Sequence, residues 1–170
     1  MAKRKRQGLV AEEITVEAFL ADSVVNPDGK LYVQGGAWNV IHTQVLPFRQ
    51  SRIGIGVIVR VPYQLATNEA HKFELRLENA DGEQLSLADA PPGTNVPDGK
   101  VRKIGGDFPV GRPPGVQPGD EQSVAIAVNI DGLLFERDGV YRFVVSIDGR
   151  DLRQLRFRIN LLSQPRLLIQ

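Results

Sequence analysis

In the stretch "HKFELRLEN", residues 71–79, Phe73, Leu75 and Leu77 alternate with Lys72, Glu74, Arg76 and Glu78. A period of two puts the apolar side chains on one face of a β-strand and the charged ones on the other, as a strand half-buried against a core requires. The same alternation recurs. Ile53, Ile55, Val57, Val59 and Val61 share a face in "RIGIGVIVRV", and Val124, Ile126, Val128 and Ile130 do so in "SVAIAVNI". Tyr141, Phe143, Val145 and Ile147 do so in "VYRFVVSI". In "LRFRINL", Leu155, Phe157, Ile159 and Leu161 point one way and Arg156, Arg158 and Asn160 the other. "ITVEAFLA", "KLYVQ" and "WNVIHTQ" predict three further strands near the start. Nothing resembles a long amphipathic helix; the best helical candidate is a turn or two in "YQLATNEAH", residues 63–71.

Turn signals punctuate the strands: Asn26-Pro27-Asp28-Gly29, Ala80-Asp81-Gly82, Asp131-Gly132, Asp138-Gly139 and Asp148-Gly149. Asp-Gly favours tight hairpins because glycine accepts positive φ without a Cβ clash. Many short strands with Gly/Pro turns, and no helices to cover a parallel sheet, predict an all-β chain. The expected form is an antiparallel β-sandwich, immunoglobulin-like or C2-like, of about seven to ten strands. A chain of 170 residues has room for one such domain. The expected division is a basic arm over 1–12, the sandwich over 13–162 and a tail over 163–170. Within the sandwich, 89–121 holds Pro91, Pro92, Pro97, Pro109, Pro113, Pro114 and Pro118. Proline lacks the N–H that a central strand needs, so this region reads as long loops flanking one short strand near "KIGGDFPV".

"PDGKLYVQGG" at 27–36 is answered by "PDGKVRKIGG" at 97–106, with six of ten positions identical. Leu-Ala-Asp precedes each copy, at 20–22 and 87–89, and an aromatic residue follows each Gly-Gly, Trp38 and Phe108. A diverged duplication would leave such an echo, and so would one favoured turn used twice. Leu31, Tyr32 and Val33 alternate as a strand does, whereas Val101, Arg102 and Lys103 do not, which favours the shared turn. A phosphate-cradling role finds no support, since Gly35-Gly36 opens a strand and not a helix.

Net charge is +1, but four of the 21 basic residues are Lys3, Arg4, Lys5 and Arg6, leaving 17 basic against 20 acidic over the rest. The arm could contact nucleic acid or an acidic protein surface, weakly and in a salt-sensitive way. A second cluster, Arg150, Arg153, Arg156 and Arg158, faces Asp151 alone. Arginines along a strand guard an exposed edge against edge-to-edge pairing, the preferred reading; they could also dock an acidic partner. The tail "LLSQPRLLIQ" is apolar around Pro165, and Leu167 and Leu168 should pack on the domain or on a neighbour.

The absence of cysteine excludes disulfides, thiolate metal sites and a cysteine nucleophile. No apolar run approaches the roughly 18 residues a bilayer span needs, and no hydrophobic segment follows the basic start as a secretory signal would require. A cytoplasmic location, or a virion assembled in the cytoplasm, is the expectation. His42 and His71 have no second histidine at metal-ligand spacing and read as ordinary surface or strand-end residues. No Gly-x-Ser-x-Gly turn supports a serine nucleophile. Asp22, Asp28, Asp81, Asp107, Asp131 and Asp148 lie near strand ends without the Asp-x-Asp spacing that calcium favours. Trp38 reads as core.

The segment "EAFLADSVVNPDGKLYVQGGAWNVI", residues 17–41, resembles the opening of an uncharacterised bacterial and phage family, a domain of unknown function. "DGVYRFVVSIDGRDL", residues 138–152, resembles that family's closing hairpin, and Leu46-Pro47-Phe48 stands where members carry Phe-Pro, in reversed order. The resemblance spans most of 14–161. It implies a β-sandwich and supplies no activity.

These readings lead to a non-enzymatic structural or interaction protein without a cofactor, such as a capsid decoration or minor structural protein of a phage-like particle. Its partners would be other protein subunits, in a capsid-like assembly or a homo-oligomer, and not a membrane. The partner-binding candidates are Lys3, Arg4, Lys5, Arg6, Arg156, Arg158, Leu167 and Leu168. The alternative is a ligand-binding sandwich for carbohydrate, calcium or an acidic polymer, using loops 89–121.

Overall fold

The computed structural model describes residues 13–163. In chain order the strands are β1 (Thr15–Val25), β2 (Tyr32–Gly36), β3 (Val40–Thr43), β4 (Phe48–Pro62), β5 (Ala70–Asn79) and β6 (Gln84–Leu85). There follow β7 (Ala88–Asp89), β8 (Lys100–Val101), β9 (Lys103–Pro109), β10 (Glu121–Phe135), β11 (Gly139–Ile147) and β12 (Arg150–Leu161). β6, β7 and β8 are two-residue bridges; of the other nine, eight are the strands read from the pattern and β9 is the short strand expected near "KIGGDFPV". One sheet has the order β10–β4–β1–β2. The other runs β3–β12–β11–β5–β6, with β9 also paired to β5, and β7–β8 form a separate ribbon. The chain is thus an all-β sandwich.

The period-two residues meet between the sheets. Ile53, Ile55, Val57, Val59 and Val61 of β4 are fully buried in the same core as Phe73, Leu75, Leu77, Phe143, Val145 and Phe157. Removing a side chain of this size from water contributes about 1.5–3 kcal/mol, so these strands carry most of the cohesion. Phe157 is the aromatic hub: Phe143 stacks at 5.5 Å and Tyr141 at 5.9 Å, while Phe135 and Trp38 meet it edge-on at 5.9 and 6.2 Å. Tyr141 also donates its hydroxyl to the Arg137 carbonyl four residues upstream, at 2.7 Å, the corner that immunoglobulin-like sandwiches use.

Several expectations are corrected. The sandwich is not wholly antiparallel, because β3 runs parallel to β12 from Arg158 opposite Val40 to Leu161 opposite Thr43. The chain leaves β2 in one sheet, crosses at Trp38, and so arrives beside β12 in the same direction. Asp131-Gly132 is not a hairpin turn. β10 continues through it, from Ile130 opposite Ile53 to Phe135 opposite Phe48. Gly132 absorbs a local irregularity at φ 70, Asp131 holds Arg52 in a bidentate pair, and Arg49 caps the Gly132 carbonyl. Residues 63–71 hold only one 3-10 turn, Tyr63–Leu65, before β5 begins at Ala70. Asp148-Gly149 is the expected tight hairpin, with φ of 51 and 77.

The two Pro-Asp-Gly copies are the same turn. Asp28 and Asp98 have φ of 54 and 52, and each turn closes with the lysine N–H donating to the proline carbonyl. The likeness stops there: β2 pairs with β1, whereas the second copy splits into β8 on β7 and β9 on β5.

Candidate interaction surfaces

β12 has β11 on one side and β3 on the other. Only its last part, Arg158–Leu161, is interior, so Arg158 guards no exposed edge, whereas Arg156 lies before the β3 pairing begins. Arg156 sits directly opposite Arg142 on β11, and Arg158 lies between Val140 and Val40. Both arginines are exposed, and neither has a carboxylate partner among the described residues.

Beside them the same outer face carries a tight ionic network. Glu78, only 7% exposed, accepts from Arg76 Nε and Arg142 Nε, each at 2.7 Å. Arg76 reaches Asp151 with two nitrogens at 2.8 and 2.7 Å, and Ser146 Oγ donates to Asp151 at 2.7 Å. Burial pushes Glu78 up, but its two guanidinium partners outweigh it and hold the carboxyl below its usual range. The bonds from Arg76 and then Ser146 pull Asp151 down to about 2. Glu74 is shared by Lys72 at 3.4 Å and Lys103 at 3.8 Å. These carboxylates are therefore committed.

A second surface is the β1–β2 hairpin. At the end of its pairing with β4, β1 passes over Gly54, where a Cβ would stand 2.9 Å from the Ser23 Cα. Phe19 lies over Gly56 in the same way. Beyond Gly54, the Asn129 amide of β10 accepts from the Val24 N–H at 3.0 Å and donates to its carbonyl at 2.7 Å. The Asn26 amide donates to the Ala125 carbonyl at 3.0 Å. The hairpin is thus clamped at its base, yet Val25, Tyr32 and Val33 are 52%, 57% and 46% exposed. Tyr32 and Val33 are neighbours on one strand and so face opposite ways; the hairpin is a wing with apolar groups on both faces.

A third apolar surface, Val45, Leu161 and Leu162, is exposed where the described chain ends. At one end of the sandwich a cavity of about 540 Å³ is lined by Leu87, Leu133, Phe135 and Tyr141, with the Lys100–Asp89 ion pair at its rim.

His71 is not a surface histidine. It is 9% exposed, with Nδ1 2.8 Å from Asp148 Oδ2, its ring 5.7 Å from that of Phe108, and Nε2 buried without a partner. Burial raises Asp148, but the bonds from His71 and the Lys72 N–H bring it below its usual range. The pair ties the start of β5 to the β11–β12 turn. His42 lies at an exposed position of β3, 3.2 Å from the Asn160 amide. No group of three or more His, Asp or Glu side chains is poised to hold a metal among the described residues. No helix among them is long and apolar enough to cross a membrane.

Of the sequence-predicted site residues, Arg156 and Arg158 fall together on the sheet face. Lys3, Arg4, Lys5, Arg6, Leu167 and Leu168 lie outside the described residues. Val25, Tyr32 and Val33 were legible only as strand residues; that they are left exposed on the hairpin while Val24 beside them is buried is a tertiary fact. Arg142 and Arg76 carried a weak signal as outward residues of alternating strands.

The fold and these surfaces define a β-sandwich with exposed apolar and charged faces. A family model matches residues 17–160, and the chain belongs to that family, described as a family of unknown function (DUF6941). No curated protein matches the chain significantly. Among solved structures, the chain is similar to the alkylpurine DNA glycosylase AlkC of Pseudomonas fluorescens bound to DNA containing an abasic site analogue. The identity is 10% and the TM-score 0.40, over 87% of this chain but 30% of that one. It is also similar to an immunoglobulin-like protein from Pseudomonas aeruginosa, at 15% identity and a TM-score of 0.35, over 90% of this chain and 100% of that one.

Proposed function

We propose that this chain is a non-enzymatic structural or interaction protein that docks onto other protein subunits, as a capsid decoration or minor structural protein of a phage-like particle does. The observation that carries the reading is the β1–β2 wing. Val25, Tyr32 and Val33 stand exposed on a hairpin whose base is fixed by Asn129 and by the close approach of Ser23 to Gly54. Apolar groups gathered on one exposed hairpin offer contact area to a partner, and a hairpin clamped at its base loses little entropy on docking. The basic residues of 1–12 and the apolar residues of 163–170 would add contact area. On this reading the protein works in a virion or in the cytoplasm where one assembles.

The test is a density gradient of native material, with quantitative mass spectrometry of this chain across the fractions. Co-sedimentation with a particle at a fixed ratio to another protein is expected. Release into the light fractions is expected for Tyr32→Lys/Val33→Lys, and for deletion of residues 1–8 or 163–170. Finding the unaltered chain only among light soluble proteins overturns the reading.

The end cavity favours a second reading, a ligand-binding sandwich. Its apolar floor and charged rim suit a small molecule with both characters. A thermal-shift panel of calcium and glycans tests it: a rise in melting temperature that Lys100→Ala abolishes supports it, and a flat response removes it.

A further inference from the structure

Along β12 the outward residues are Gln154, Arg156, Arg158 and Asn160, with His42 of β3 beside the last. Alternate residues of a strand stand about 7 Å apart on one face, so the two free guanidinium groups form a regularly spaced, donor-rich row. The surrounding sheet makes this row a cationic excess. Arg76 and Arg142 already occupy Glu78, Arg76 occupies Asp151, and Lys72 and Lys103 share Glu74. The remaining carboxylate of this sheet face, Asp107, is on β9, opposite Lys72 of β5.

Like charges placed directly opposite one another destabilise a sheet, yet Arg156 faces Arg142. A glutamate at 156 would relieve that opposition. Edge protection does not explain Arg158, because there β12 is flanked on both sides, by Val140 of β11 and Val40 of β3.

We propose that this row docks an extended acidic segment of a partner protein, with Asp or Glu at alternate positions, lying along β12. An extended segment repeats its side chains at the spacing of the row itself, so Arg156 and Arg158 each meet one carboxylate and Gln154 and Asn160 close the ends. Guanidinium groups bind carboxylates bidentately. Nucleic acid fits less well, since single strands bind through aromatic stacking and the outward positions of β5, β11 and β12 carry no aromatic side chain. This inference rests on the interaction reading above and names the partner's chemistry at a second surface. Its test needs no particle, so its failure and that of the particle reading are separate results.

The experiment is fluorescence anisotropy of the purified full-length chain with a labelled peptide of about nine residues alternating Glu and Thr. Three comparisons accompany it: an isomer with its Glu in one block, an oligothymidylate, and two charge-matched variants. Arg156→Gln/Arg158→Gln removes two charges from the row. Arg150→Gln/Arg153→Gln removes two from the same strand off the row, and Arg153 lies opposite Val145 at the β-bulge. Thermal melts check that both variants fold.

The alternating peptide is expected to bind tightest, with affinity falling as salt rises and falling about tenfold in the row variant. The off-row variant is expected to lose less than about twofold. No binding, equal binding of the block isomer, equal loss in the off-row variant, or tighter binding of oligothymidylate would each overturn the proposal.

Discussion

Asn129→Ala tests whether the wing is held as described. The Asn129 amide makes both main-chain hydrogen bonds of Val24, at 3.0 and 2.7 Å, and so stands in for a neighbouring strand. Val24 is 1% exposed, so water does not replace the amide while the wing stays seated. Each bond contributes about 1 kcal/mol net, and each buried group left unpaired costs about 1–3 kcal/mol. The hairpin can relieve part of that cost by lifting, which puts the expected loss at about 2–3 kcal/mol. For a chain of this size that corresponds to a drop of about 5–10 °C in melting temperature. Asn129→Asp should be no better, because it keeps the acceptor for the Val24 N–H but turns a second carboxylate oxygen on the Val24 carbonyl. The assay is urea unfolding together with hydrogen exchange at Val24 and Val25. Faster exchange confined to the hairpin, with a smaller change in the β4 core, is the expected pattern. A stability within about 0.5 kcal/mol of the parent and unchanged exchange at Val24 would refute the clamp.

Gly54→Ala should lift the same hairpin by another route, since the new Cβ would meet Ser23 main chain at 2.9–3.1 Å and main chain cannot swing aside; hydrogen exchange at Ser23–Val25 checks it, and unaltered protection counts against the close approach. Phe157→Ala should cost about 3–5 kcal/mol in urea unfolding, because Phe157 meets Phe143, Tyr141, Phe135 and Trp38. Acid should unfold the protein partly through Asp151: its carboxyl is pulled from 3.8 down to about 2 in the folded state, so its contribution is complete above about pH 4 and lost as pH falls toward 2. Asp151→Asn should therefore lower stability at neutral pH and flatten that part of the acid limb, measured as urea midpoints across the range; a limb of unchanged slope would remove Asp151 from the account.

How much of this was legible in the sequence depends on whether a feature is local. Alternation in "HKFELRLEN" and "RIGIGVIVRV" names the inward residues of β5 and β4, since a half-buried strand leaves that imprint wherever it occurs. Turn chemistry is nearly as local: Asp148-Gly149 reads correctly. Asp131-Gly132 misleads, because the flanking residues keep their pairing with β4 and the glycine is spent on an irregularity inside the strand. Features made by chain crossing left little trace. Gly54 and Gly56 stand at the alternate positions of "RIGIGVIVRV", and nothing near them in the sequence says that Ser23 and Phe19 lie overhead. The His71–Asp148 pair joins residues 77 apart in the chain.

The arginines of β12 show where such reading stops and what a structure adds. Periodicity states that Arg156 and Arg158 share an outward face, but strand order is not written in periodicity. Edge protection and docking therefore predict the same sequence. Order separates them. At Arg158, with β3 on one side and β11 on the other, there is no open ladder for the charge to defend, while at Arg156, before the β3 pairing starts, one side of the ladder is open. The opposition of Arg156 to Arg142 is a cost to the isolated chain, eased on one side by the Glu78 carboxylate that holds Arg142. Surface ion pairs contribute little to stability, so a glutamate at position 156 would gain the free protein only modestly, and its absence alone would be a weak argument. The argument strengthens because the nearest carboxylates, Glu78, Asp151 and Glu74, are engaged by other cations, which leaves the row as the part of the face whose charge is best met from outside.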